Sequence, residues 1–115
     1  MNTKSLYDCV TLRVTCSHNT FLTHLDLTVK SLMGRYKAPY VLRDAKVFTT
    51  PTSIRDDIPV HEEYFAAIVA NILNLLTGNV EFKSEYLSES DAAYKSVWSK
   101  KARKVKIRDR GYYNV

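Results

Sequence analysis

Residues 58–78 read IPVHEEYFAAIVANILNLLTG, the longest apolar stretch of the chain and its best-marked helix. Pro59 stands where a first helical residue belongs, because its missing N–H is not needed there and its φ is already helical. Glu62 and Glu63 follow in the first turn, where the positive end of the helix dipole favours carboxylates. Thr77-Gly78-Asn79 closes the segment, with Gly78 able to take the left-handed conformation of a C′ residue. The pattern predicts a helix over about 59–77, roughly 25 Å long at 1.5 Å per residue.

Two apolar stripes run along it, Tyr64, Ile68, Ile72 and Leu75 beside Phe65, Val69, Leu73 and Leu76. Ala66, Ala67 and Ala70 fill much of the rest, and a helix apolar over most of its circumference is buried on most sides. It is not a membrane span: Asn71 and Asn74 interrupt the run, and about 18 apolar residues are needed to cross. Either it is the central helix of a small bundle, or one of its faces is completed by a neighbouring subunit.

The length of 115 residues fits one domain, or one domain with a tail, expected here as 1–105 and 106–115. The composition, 45% apolar and 25% charged, is that of a folded globular chain, and three Gly and three Pro argue against a turn-rich sandwich. The net charge of +5 is uneven. Lys95, Lys100, Lys101, Arg103, Lys104, Lys106, Arg108 and Arg110 face the single acid Asp109 within 95–110, so the basic partner surface belongs at the C-terminus. Cys9 and Cys16 form no C-x-x-C pair and no Cys/His cluster, which argues against zinc and for two small hydrophobes. The N-terminus lacks an apolar run of signal-peptide length, so synthesis in a reducing cytoplasm is expected.

Residues 5–16, SLYDCVTLRVTC, carry two periods at once. Val10, Leu12, Val14 and Cys16 alternate as in a strand, whereas Leu6, Cys9, Val10 and Leu12 fit a short helix capped by Ser5; we take the helix. A second helix follows from about Phe21 to Tyr36, with Leu22, Leu25, Val29 and Leu32 inward, Phe21 and Met33 on the flanks, and an Asp26–Lys30 surface pair. Gly34 weakens its last turn and Pro39 bars continuation. Residues 38–57 form no convincing helix; Tyr40-Val41-Leu42 and Lys46-Val47-Phe48 read as short extended pieces around an Arg43-Asp44 turn, packed down by Tyr40, Val47 and Phe48. Residues 79–87 read as a second connector, and Ser88-Glu89-Ser90-Asp91 as the start of a last helix from about Glu89 to Lys104. On that helix Tyr94, Val97, Trp98, Ala102 and Val105 share one face; from Lys106 the period is lost and the sequence reads as a basic tail ending in Tyr112 and Tyr113.

No catalytic constellation emerges. His18, His24 and His61 have no nucleophile or carboxylate at motif spacing, and His61-Glu62 lacks the second histidine of H-E-x-x-H because Phe65 stands there. Phosphate-loop and dinucleotide fingerprints are missing, and neither an enzyme nor a bound cofactor is expected. The C-terminal cations read either as a solvated face or as a surface that binds DNA or RNA without sequence preference.

The order of parts, SLMGRY, then IRDDIPVHEEY, then FAAIVANILNLLTGN, then DAAYKSVWSKKARK with its basic tail, resembles the small helical head–tail connector proteins of tailed bacteriophages, also called adaptor or head-completion proteins. The resemblance covers roughly residues 20–105. It implies a mainly α fold, a small bundle around a central helix with an irregular or short extended insert at 38–57. It also implies a virion subunit at the neck, assembled as a ring, typically a dodecamer, between a portal protein and a tail or stopper protein, with DNA passing through. Neither membrane nor metal enters that picture. The residues expected to meet partners are Tyr40, Val47, Phe48, Arg55, Lys100, Lys101, Arg103, Lys104, Arg108, Arg110, Tyr112 and Tyr113, within the segments 38–57 and 106–115 and at the end of the last helix. The other reading is a small basic nucleic-acid-binding protein.

Overall fold

Helix α1, Thr3–Thr11, opens the chain, and its cap is Asn2, not Ser5: the Asn2 Oδ1 accepts from the Ser5 N–H at 2.9 Å. The computed structural model describes the backbone of residues 1–113 except residue 45, and side chains through residue 102. The alternating stretch at 12–16 is turn and bend rather than strand. Helix α2, His18–Arg35, starts three residues earlier than the apolar pattern does, because Ser17 caps it by accepting from Thr20 N–H at 3.2 Å. Phe21, Leu22, Leu25, Val29 and Leu32 are buried, and Lys30 lies 2.9 Å from Asp26 at the surface.

The expected start of the central helix is corrected. Residues 58–61 are extended, a 3-10 turn covers Glu62–Tyr64, and helix α3 runs Phe65–Thr77. Pairing across the fold explains the difference. Leu42 and Val60 form an antiparallel bridge, with Arg43 N–H donating to Pro59 O at 2.8 Å and His61 N–H to Val41 O at 3.0 Å. On the other side Ile58 exchanges two backbone bonds with Met1, at 2.9 and 3.0 Å. These bonds occupy Pro59 and its neighbours in an extended line, and Ile58 and Val60 point inward by strand alternation. The end of α3 is as expected, with Gly78 at φ 69° donating to Asn74 O at 2.7 Å.

Helix α3 packs against α1, α2 and the following helix. Ala67, Ile68 and Ile72 are fully buried along it, as is its cap Tyr64; Ala70 and Leu73 are nearly so, and Asn71 is buried at 9% exposure. Phe65, Val69 and Leu76 are half-buried, while Leu75 is 41% exposed. Asn71 is a core residue: its Nδ2 donates to the buried Thr28 Oγ1 at 2.8 Å, and that hydroxyl donates to His24 O at 2.7 Å.

The second connector is also corrected. Helix α4 is one element, Val80–Tyr113, beginning where 79–87 was expected to be irregular and continuing where helical period was lost. Asn79 supplies the cap, its Oδ1 accepting from Glu81 N–H at 2.9 Å. Tyr86, Ser90, Ala93 and Val97 are buried at helical spacing, which carries the period straight through the presumed start at Ser88. At 1.5 Å per residue, 34 residues run roughly 50 Å. Among the described residues the fold is therefore four helices and no strand, a small helical bundle with α3 at its centre.

The insert 38–57 carries a 3-10 turn, Ala38–Tyr40, and the single bridge at Leu42. Asp44 takes a left-handed φ of 56° at the turn expected there. Further on, the Asp56 carboxylate accepts from Thr52 N–H, Thr52 Oγ1 and Ser53 N–H at 3.1–3.2 Å, and Thr50 Oγ1 donates to Asp26 at 2.7 Å. Pro51 is buried, and Phe48 and Ile54 pack half-buried against the core. Val47 does not: it is 81% exposed, because Phe48, its neighbour in an extended stretch, takes the inward position.

Candidate interaction surface on helix α4

The end of α2, the 3-10 turn at 38–40 and the middle of α4 meet in a group of tyrosines. Tyr36 stacks on Tyr94 with ring centroids 4.8 Å apart and planes 13° from parallel. Tyr40 meets Tyr94 edge-on at 5.4 Å, and Tyr64 lies 6.3 Å from Tyr36. The chain arrives there because Tyr36, the C-cap of α2, turns extended while Pro39 forces the next turn.

Charged groups close over these rings. Asp91 accepts from the Tyr36 hydroxyl and pairs with Arg35 at 3.4 Å, and the Arg35 guanidinium sits 5.5 Å from the Tyr36 ring centroid and 5.9 Å from that of Tyr86. The Tyr36 hydroxyl holds the Asp91 carboxyl below the usual range, with Arg35 helping. Burial, then Asp91, push the Tyr36 phenol up. The buried Tyr64 hydroxyl has no partner among the described residues, and burial raises its phenol far above the ordinary value. Lys101 Nζ donates to Pro39 O at 2.7 Å and stands 5.0 Å from the Tyr40 ring centroid. Lys100 pairs with Glu63 and holds its carboxyl down.

Tyr40, Lys100 and Lys101 are thus brought together, and two of their expected partner-facing groups are spent within the fold. Val47, Phe48 and Arg55 lie elsewhere. Thr50 ties their stretch to Asp26, about ten residues and roughly 15 Å along α2 from Tyr36. Arg55 is exposed. Arg103, Lys104, Arg108, Arg110, Tyr112 and Tyr113 lie on α4 by its bounds, and their side chains fall outside the described residues.

One surface feature was not anticipated. Trp98 is 52% exposed rather than part of the inward face, which belongs to Ala93 and Val97. Val80, 72% exposed, and Leu87, 37% exposed, fall within about 20° of Trp98 around the helix axis at 100° per residue. Reading α4 as beginning at Glu89 hid this row, because two of its three members precede that point.

Chemistry is sparse. His61 Nδ1 lies 3.9 Å from Glu63, beyond a hydrogen bond, and burial lowers the imidazole. An open cleft of about 330 Å³ is lined by Met1, Arg43, Asp44, Lys46, Asp57, Ile58 and Pro59, a set without a nucleophile–base pair. Among the described residues no three His, Cys, Asp or Glu side chains are placed to hold a metal, and no helix is long and apolar enough to cross a membrane. Comparison of the chain with protein families, with curated proteins and with solved structures finds no match.

Proposed function

We propose that this chain is a structural assembly subunit, a head–tail connector or adaptor that self-associates as a ring and joins a portal to a tail component. The observation that carries the reading is the exposed apolar row Val80, Leu87 and Trp98 on α4. Three large apolar side chains in helical register form a seam suited to another protein surface, whereas scattered ones need no explanation. Val47 at 81% exposure on the insert and Leu12 at 85% after α1 offer separate apolar points for a different face of a neighbour. Two unlike faces are what a head-to-tail contact requires, and such contacts close into rings when the rotation allows.

Trp98 is the chain's single tryptophan, so it reports on its own burial. Sedimentation of the full chain over a range of concentrations is expected to show a closed oligomer, with the Trp98 emission shifting to the blue as it forms. Leu87→Ser with Val80→Ser is expected to leave the helical content unchanged and to weaken association at least tenfold. Deleting 106–115 is expected to keep the folded body and lose assembly. A chain that stays monomeric at every concentration, alone and with a portal added, overturns the reading.

A further inference from the structure

His61 stands where the insert, the 3-10 turn at Glu62–Tyr64 and α4 meet, and its ring is short of partners. Its backbone N–H is fixed to Val41 O at 3.0 Å, beside the Leu42–Val60 bridge. The Nε2 atom is buried with no hydrogen-bond partner among the described residues, and Nδ1 lies 3.9 Å from Glu63 Oε2. Each neighbouring element aims a charge at the ring: Glu63 from the turn, Arg43 from the insert and Lys101 from α4. Lys100 takes the other Glu63 oxygen, and Glu62 is turned away to the Met1 ammonium at 3.2 Å.

The contested group is the Pro39 carbonyl. It accepts from Lys101 Nζ at 2.7 Å, which holds the ammonium 5.0 Å from the Tyr40 ring centroid. The same carbonyl acts on the His61 ring, favouring its charged form. A neutral imidazole leaves that oxygen to Lys101. An imidazolium donates from both nitrogens, and a buried N–H without an acceptor is costly. It also stands beside two further cations, Lys101 and Arg43. Of the competitors for the oxygen, Lys101 is the one that can leave: it is exposed, on a flexible four-carbon stem, whereas His61 is held by its backbone.

We infer that protonation of His61 transfers the Pro39 carbonyl from Lys101 to the imidazolium, and so unlatches the α4 turn at residue 101 from the 38–40 turn. The latch is closed while His61 is neutral and open once it is charged. Glu63 keeps Lys100 and His61 on separate oxygens, so the change is local and α4 stays packed through Ala93 and Val97. Burial places the transition below 6.5. The inference stands apart from the ring reading, since a monomer carries the latch equally well.

The test is NMR of the full chain, labelled at lysine and histidine, titrated from about pH 7.5 to about pH 4.5. The Lys101 ε-methylene carries the ammonium over the Tyr40 ring, so a ring-current shift marks the closed latch. That shift is expected to vanish with the same midpoint as the His61 ring protons. In His61→Gln it is expected to persist to the lowest pH. Lys101→Met removes a cation and a competitor, so the His61 midpoint is expected to move upward. A Lys101 resonance that ignores the His61 titration, the same Lys101 change in His61→Gln, or an unmoved His61 midpoint in Lys101→Met overturns the proposal. So does loss of the whole folded spectrum together with the Lys101 shift, which would make the event global unfolding.

Discussion

Asn71 interrupts the apolar run of the central helix, yet its spacing from Tyr64 and Ile68 puts it on the buried side. It stays there because Thr28, 43 positions earlier, accepts from its amide at 2.8 Å. A buried amide stripped of its partner bears its desolvation cost, about 1–3 kcal/mol. Thr28→Val keeps the shape and removes the acceptor, so urea unfolding is expected to show a loss in that range. Thr28→Val with Asn71→Leu is expected to recover part of it, since neither group is then unsatisfied. A single-variant loss below about 0.5 kcal/mol would show that the bond is not what holds Asn71 inside. In the sequence Asn71 stands only as a break in the apolar run; its core position and its partner both come from packing, because nothing local in either segment encodes the other.

Helix α4 shows how a local signal misleads at the scale of an element. Ser88-Glu89-Ser90-Asp91 has the spacing of a capping box, but the Ser90 hydroxyl bonds back to the Tyr86 carbonyl inside a helix already under way. The working cap is Asn79, directly after the left-handed Gly78. Glu89→Pro separates the two descriptions. At the first residue of a helix proline is tolerated, whereas inside one it costs about 3 kcal/mol or more. Glu89 is exposed, so no packing loss confuses the result. Chemical denaturation is expected to show the full penalty, and a variant as stable as the parent would place the helix start at 89. The same logic applies to Pro59, which bears a helix-start signal but sits in an extended segment held by Met1 on one side and by Val41 and Arg43 on the other.

For the whole molecule, stability with pH follows from groups shifted on folding. His61 falls below its ordinary value of 6.5 because burial disfavours the imidazolium. The unfolded chain therefore binds this proton more readily than the folded one, so stability declines as pH drops through 6.5 and levels off below the depressed folded value. Glu63 acts in the same direction at lower pH: the Lys100 hydrogen bond lowers its carboxyl, and the stability this gives is present above 4.5 and lost as pH falls through the lower folded value. Urea midpoints measured from neutral pH downward are expected to fall in two stages. His61→Gln should remove the first stage and Lys100→Ala the second; an unchanged first stage in the histidine variant would assign it to another group. The sequence alone determined the helical class, the central helix with its glycine stop, the inward face of α2 and the Asp26–Lys30 pair, because each depends on residues within a turn or two of one another. Only the tertiary structure decided where α3 begins, that 79–87 belongs to α4, that Val47 and Trp98 face outward, and that Tyr36, Tyr40 and Tyr94 share one stack. Those outcomes depend on backbone pairing and side-chain packing between segments far apart in the chain, where competition between distant partners outweighs the preference of any single stretch.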